Sequence, residues 1–208
     1  QELPLINRLI EDGYTGRKGK GGFYRLNQDS GKRIKESRNL KTGEYSKATK
    51  KVGLESVKIA KKGLRKLVTH KDKGGEYAWK VLSKTLTYAA SLVPEITDNI
   101  VNVDLAMKNG FLWKKGPFEM LDDLGPSWFS SKISEEGMKT PTLLEKVGEG
   151  TFYKMEKDNV KYFETNGKYS VLKKPEGHLT AADVKIGKKP IFKNSSASLW
   201  DMGESIIL

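Results

Sequence analysis

Residues 100–125 read IVNVDLAMKNGFLWKKGPFEMLDDLG. Ile100, Val101, Val103, Leu105, Ala106 and Met107 recur at helical spacing over residues 98–109, and Gly110 is placed to stop that helix. Gly116-Pro117 opens the next one, because a proline in the first helical turn gives up an N–H that has no intrahelical partner there. Phe118, Leu121 and Leu124 share its inward face, and Gly125-Pro126 closes it. Two helices joined by a short loop already point to an α-rich body.

The flanking sequence extends that body. Residues 76–94 form the longest apolar-periodic segment, with Tyr77, Ala78, Val81, Leu82, Leu86, Tyr88, Ala89, Ala90, Leu92 and Val93. It is apolar on more than one side, which predicts a helix at the centre of the core, broken near Pro94. Residues 54–69 carry a second helical pattern with lysines on the other face, and residues 3–12 a short one that Gly13 stops. Residues 127–148 hold two helical pieces split near Pro141. About six to seven helices are expected before residue ~150. Beyond 150 the segments shorten and become β-branched or aromatic, at 151–156, 160–164, 168–173 and 189–193, with Asn166-Gly167 as a hairpin turn. Residues 34–46 give a further short hairpin of weak alternation.

Two segments echo each other. Leu9-Ile10-Glu11 leads through a glycine-rich loop to Gly22-Phe23-Tyr24-Arg25, and Leu143-Leu144-Glu145-Lys146 leads to Gly150-Thr151-Phe152-Tyr153-Lys154. Each is a short amphipathic helix, a loop and a Phe-Tyr step into extended sequence, which implies a duplicated unit.

Composition bounds the chemistry. The chain has 208 residues, 37% hydrophobic and 31% charged, as expected for a globular protein of one or two domains of ~150 residues each. It has no cysteine, so thiolate metal sites and cysteine nucleophiles are out. The net charge of +12 favours anionic partners, yet the lysines are spread along the whole chain as on a solvated surface. No stretch approaches the ~18 apolar residues of a membrane span, and QELPLINRLIEDG at the start is no secretory signal. A cytoplasmic location is expected.

Few residues qualify for a site. His70 sits in Thr-His-Lys-Asp-Lys-Gly and His178 in Pro-Glu-Gly-His-Leu, both read as exposed turns. Two histidines cannot build a three-histidine metal site, so no metal is expected. Arg17, Lys18 and Lys20, set among glycines, have the makings of a phosphate cradle; the same glycines also suit a purely structural turn. Asp104, Glu119 and Asp122 are expected to cap helices and accept backbone hydrogen bonds rather than catalyse. Tyr77, Trp79, Phe111, Trp113, Phe118 and Trp128 are expected in the core.

GRKGKGGFY at 16–24 resembles the signature that closes the helical C-terminal domain of 3-hydroxyacyl-CoA dehydrogenases. Val103 to Phe111, with Gly116-Pro117-Phe118-Glu119 and Asp122 to Gly125, resembles that family's other signature. The family places the second signature before the first, so residues 1–24 look like the tail of one repeat and about 75–153 like most of another. The resemblance implies a mainly α fold of C-terminal-like helical repeats, with 1–50 as the first tail and hairpin, 51–150 as the second repeat and 151–195 as a small β-rich connector. Residues 196–208 resemble the lead-in to a crotonase-type enoyl-CoA hydratase.

It further implies an NAD-dependent parent enzyme of fatty-acid β-oxidation, bifunctional with the hydratase, acting on acyl-CoA. Its Rossmann domain, its catalytic His–Glu pair and the hydratase domain would lie outside this sequence. The chain alone is then expected to be inactive and to bind no cofactor, with coenzyme A near Arg17, Lys18 and Lys20. Both ends read as cut, which predicts exposed apolar patches around the N-terminal helix and the C-terminal strand, and self-association or partial disorder at both ends. The competing reading, a basic nucleic-acid-binding module, rests on net charge alone; no helix-turn-helix, RNP or zinc-finger pattern is visible.

Overall fold

The computed structural model describes residues 3–29, 31–49, 53–156, 159–173, 189–194, 197–201, 203 and 206–207. They form two compact units, Gln1–Gly53 and Leu54–Leu208. The fold is mainly α with small antiparallel sheets.

In the first unit, α1 (Pro4–Glu11) starts on its proline, and Gly13 ends it in the left-handed region at φ 82°. A glycine loop follows, pinched by a bridge between Gly16 and Gly21. The chain then runs through β1 (Tyr24–Asn27), β2 (Ile34–Arg38) and β3 (Tyr45–Lys47), an antiparallel meander in the order β1-β2-β3. The hairpin expected at 34–46 is β2–β3, and β1 adds the third strand. Arg25 faces Glu36 across the ladder and bonds it at 2.7 Å. The Tyr45 hydroxyl donates to the Gly22 carbonyl at 2.6 Å, tying β3 to the end of the glycine loop. Leu9 is buried, whereas Leu3, Ile6, Ile10, Phe23, Tyr24, Leu26 and Leu40 are exposed.

The second unit begins with α2 (Glu55–Ile59), a 3-10 turn (Ala60–Lys62) and α3 (Leu64–Val68). The helical pattern expected over 54–69 is therefore broken in the middle. Gly63 adopts φ 131°, which no helix tolerates and side-chain-bearing residues rarely adopt. Next, α4 (Lys73–Ser91) is capped by Asp72, which accepts from Gly74 N–H and Gly75 N–H at 3.0 Å each. The same carboxylate accepts from Ser56 N–H at 3.0 Å and so ties the start of α2 to the start of α4.

Then come α5 (Ile100–Phe111), α6 (Pro117–Leu124), α7 (Pro126–Glu135) and α8 (Thr142–Val147). Helix α5 runs past Gly110, the expected stop, and ends one residue later. Leu112 makes the left-handed turn at φ 56°, and Trp113 N–H reaches back to the Met107 carbonyl at 3.3 Å. The meander β4 (Tyr153–Glu156), β5 (Asn159–Phe163), β6 (Tyr169–Val171) follows, again in sequential antiparallel order. The Asn-Gly turn stands where the sequence placed it, with Gly167 at φ 85°. Strands β7 (Phe192–Lys193), β8 (Ser198–Asp201) and β9 (Ile206–Ile207) form a third small sheet.

The core of this unit draws on α4 (Trp79, Leu86, Ala90), α6 (Phe118, Leu121, Leu124), α7 (Phe129, Ile133) and α8 (Leu143, Leu144, Val147), and Phe152 and Phe163 of the meander complete it. Aromatic edges meet faces through it, from Phe118 to Phe152 and from Phe152 to Phe163. Helix α4 buries one stripe only. Trp79, Ser83, Leu86 and Ala90 face in, while Tyr77, Val81 and Tyr88, two residues away on the far side, face out. Phe111 is exposed as well, so Tyr77 and Phe111 are surface residues and not the core residues expected. Trp79 and Phe118 are buried, and Trp128 packs partly buried against the core.

Candidate functional site

Among the described residues, a pair of carboxylates between α5, α6 and the start of β4 forms a fully bonded polar centre. Helix α6 begins at Gly116, which has no side chain to act as a cap. Asp104, one turn inside α5, supplies that cap from a distance. It accepts from Phe118 N–H at 2.9 Å and from Glu119 N–H at 3.2 Å. The approach is so close that a Cβ at residue 116 would overlap the Asp104 carboxylate, which is why glycine stands there. Glu119 completes the helix start by accepting Gly116 N–H at 2.8 Å and holding Lys108 at 2.6 Å.

Asp122, one turn further along α6, accepts from the next strand. Phe152 N–H and Tyr153 N–H donate to its two oxygens at 2.7 and 2.8 Å. The Tyr153 hydroxyl returns to Asp104 at 2.8 Å, so the two carboxylates are joined through one residue. Asp104 is 1% exposed. Burial pushes its carboxyl up to about 6, with the Phe118 N–H and the Tyr153 hydroxyl opposing. Burial likewise pushes Asp122 up to about 6 against the two strand N–H donors. The Tyr153 hydroxyl is raised by its own burial and by the Asp104 charge, so it stays protonated and stays a donor. The arrangement fastens a strand to two helices.

The expectation for Asp104, Glu119 and Asp122 as helix caps and backbone acceptors matches this geometry. Sequence reading missed Tyr153 as the residue that couples them. Its only signal was the repeated Phe-Tyr step, and nothing local could pair it with a residue 49 positions away.

The other candidates are placed as follows. Arg17, Lys18 and Lys20 are exposed on the glycine loop. The loop's N–H groups at Gly16, Gly19 and Lys20 are bonded within it, to the carbonyls of Gly21, Gly16 and Gly13, and Lys20 Nζ donates to the Asp12 carbonyl at 3.1 Å. His70 is half-buried and not the exposed turn expected; its Nδ1 lies 3.3 Å from both the N–H and the carboxylate of Asp72, at the start of α4. That carboxylate is held well below its usual range, first by the Ser56 N–H at the start of α2 and then by the Gly75 N–H of α4. His178 lies outside the described residues. Among the described residues no group of three or more His, Asp or Glu is placed to hold a metal ion. Nor is any helix long and apolar enough to cross a membrane.

An NAD fold needs a glycine turn that leaves a strand and enters a helix, so that the helix N-terminus faces the diphosphate. Residues 16–22 do the reverse, following α1 and leading into β1. That loop therefore does not have the connectivity of an NAD diphosphate turn.

No protein-family model matches the chain, and no solved structure does. Curated proteins do. Over 212 residues, covering 98% of the chain, it is 36% identical to the "Probable 3-hydroxyacyl-CoA dehydrogenase" of Bacillus subtilis. Over 154 residues, 74% of the chain, it is 36% identical to the "Putative fatty acid oxidation complex trifunctional enzyme" of Rickettsia felis. Over 117 residues it is 37% identical to the protein of the same name in Rickettsia prowazekii. The chain spans 26%, 21% and 15% of these relatives' lengths. The resemblance read from the signatures therefore holds along nearly the whole chain.

Proposed function

We propose that this chain is a structural portion of a fatty-acid β-oxidation enzyme, an NAD-dependent 3-hydroxyacyl-CoA dehydrogenase that also carries an enoyl-CoA hydratase. The observation that carries the reading is the 36% identity to a 3-hydroxyacyl-CoA dehydrogenase over 98% of the chain, in a relative about four times as long. In that parent, a hydride would pass from L-3-hydroxyacyl-CoA to NAD, leaving a 3-ketoacyl-CoA. This chain's part is architectural. Helices α4–α8 form the second of two helical repeats, the carboxylate pair locks β4 onto it, and the first meander ends the preceding repeat. In the same reading Arg17, Lys18 and Lys20 reach the phosphates of coenzyme A with their side chains.

Three features support a non-catalytic role. The glycine loop is connected the wrong way round for NAD. The His70–Asp72 pair is part of a helix start. The buried carboxylates are engaged by backbone donors. The test is NADH oxidation with acetoacetyl-CoA by the folded chain alone. No turnover is expected at any chain concentration. Turnover above that of buffer, lost when the chain is unfolded, would overturn the assignment of catalysis to other parts of the parent.

A further inference from the structure

A groove of about 580 Å³ opens between the 3-10 turn, α3 and the loop leading into α6. Lys62, Arg65, Lys66 and Lys115 line it against a single carboxylate, Asp123, and Arg65 also borders the adjoining groove beside Trp128, where Asp122 and Glu149 stand. The sequence dictates this locally. Residues 58–66 hold five cations in nine positions and no acid, and Gly63 at φ 131° separates Lys62 from Arg65 and Lys66, so that cations on both sides of the turn line one groove. Surface lysines on helices ordinarily alternate with glutamates that relieve their repulsion. Here nothing of the kind is present. Among the described residues Lys62, Arg65 and Lys66 have no carboxylate partner.

Two of the four cations are nonetheless held in place. Lys115 is fixed by Asp123, whose two oxygens lie 2.7 and 2.6 Å from its Nζ. Arg65 is held over the Trp128 ring, 4.6 Å from its centre, and none of its guanidinium N–H groups meets an acceptor among the described residues. A guanidinium oriented by stacking, with its donors unused, is a fork preset for a planar pair of anionic oxygens. Two exposed lysines beside it, Lys62 and Lys66, can close on the same charge. The cations converge on one groove instead of running in a line, which suits a compact dianion better than a polymer backbone.

We propose that this groove binds the phosphate ester or diphosphate group of a soluble small molecule, with Arg65 as the orienting fork and Lys62 and Lys66 as closing charges. The site uses none of Arg17, Lys18 and Lys20, which belong to the other unit, and it does not depend on the dehydrogenase reading.

The test titrates the full chain with inorganic pyrophosphate and with adenosine 3′,5′-bisphosphate, by calorimetry and by tryptophan emission. The expected result is saturable one-to-one binding that changes the emission of Trp128, a change lost in Trp128→Phe. Arg65→Ala, and separately the exposed pair Lys62→Glu with Lys66→Glu, weaken binding by about tenfold or more. The control pair Lys80→Glu with Lys84→Glu, an equal charge change on the exposed side of α4, leaves it within about twofold. Equal binding of both probes assigns recognition to the phosphate groups themselves. Binding of the bisphosphate alone assigns it to a nucleotide-borne phosphate. Absence of saturable binding by either probe to about 5 mM overturns the proposal. So does an equal loss in the control pair. Binding of a short DNA duplex that the groove variants abolish, without binding of either small anion, overturns it in favour of a nucleic-acid surface.

Discussion

Phe23-Tyr24 and Phe152-Tyr153 stand at the same place in two copies of one pattern, a short helix, a glycine-bearing loop and a three-stranded antiparallel meander. The ladders even share their phase. The Phe23 carbonyl accepts Arg38 N–H and the Phe152 carbonyl accepts Phe163 N–H, both at strand starts, so each tyrosine falls at the next position, where its N–H faces away from the neighbouring strand. The surroundings differ. Phe152 is 0% exposed and Phe23 44%; Leu144 is 1% exposed and Ile10, its counterpart, 55%. The second copy's outward N–H groups meet Asp122, and its tyrosine hydroxyl meets Asp104. The lesson is that the meander forms from its own ladder in both places. The burial of the Phe-Tyr step comes from α5 and α6, which bring the carboxylates.

The largest break in that comparison should come from truncating the aromatic ring. Phe152→Ala is expected to destabilise the second unit by about 3–5 kcal/mol through lost burial and a cavity, and Phe23→Ala to cost under about 1 kcal/mol. Urea denaturation followed by tryptophan emission and circular dichroism separates the two, since all four tryptophans lie beyond residue 54. Asp104→Ala should follow at about 2–4 kcal/mol, because it strands two helix N–H groups and a tyrosine hydroxyl in a buried place.

The pH dependence sharpens the same point. Asp104 and Asp122 are raised by burial to about 6, above the unfolded value near 3.8. The folded state therefore binds these protons more tightly. Their contribution is fully present below the unfolded value and is lost as pH rises through about 6. Asp104→Asn and Asp122→Asn remove that slope, so the stability gap between wild type and variant should be widest near pH 4 and narrow by pH 7. A gap that widens across that range would show the carboxylates to be favoured as anions, with the backbone donors outweighing burial.

Smaller effects test individual bonds. Tyr153→Phe should cost about 1.5 kcal/mol and Tyr24→Phe nothing measurable, since only the first hydroxyl reaches a buried carboxylate. Leu112→Gly should stabilise by about 1 kcal/mol, because an exposed leucine now holds the left-handed turn at the end of α5. A loss of stability there would mean that Leu112 makes a contact its exposure does not suggest.

Much of this was legible in the residues. Proline and glycine punctuation located α6, α7, α8 and the Asn-Gly hairpin, because those residues act through their own backbone. Spacing found α4 but not which of its apolar stripes is buried; Tyr77, Val81 and Tyr88 satisfy the same period as Trp79, Leu86 and Ala90. Gly110 had the identity of a helix stop, yet the helix passed it and turned at a leucine, a choice the following tryptophan's hydrogen bond makes and composition does not. The carboxylate pair was legible as caps one at a time. Its union through Tyr153 needs the tertiary fold, since α5, α6 and β4 meet only after the chain has closed. The basic groove was hidden for a similar reason. The run of five cations at 58–66 stands in the sequence, but Lys115 joins it from another loop, and nothing in the linear chain pairs the two.

The most direct test of the account is residue-resolved amide hydrogen exchange on the whole chain, comparing Tyr24 with Tyr153. The account predicts that Tyr153 N–H, bonded to Asp122, exchanges slowly along with the α6 core, and that Tyr24 N–H exchanges orders of magnitude faster. Equal protection at the two tyrosines, or fast exchange at Tyr153, would contradict the claim that the helical carboxylates hold one copy and not the other.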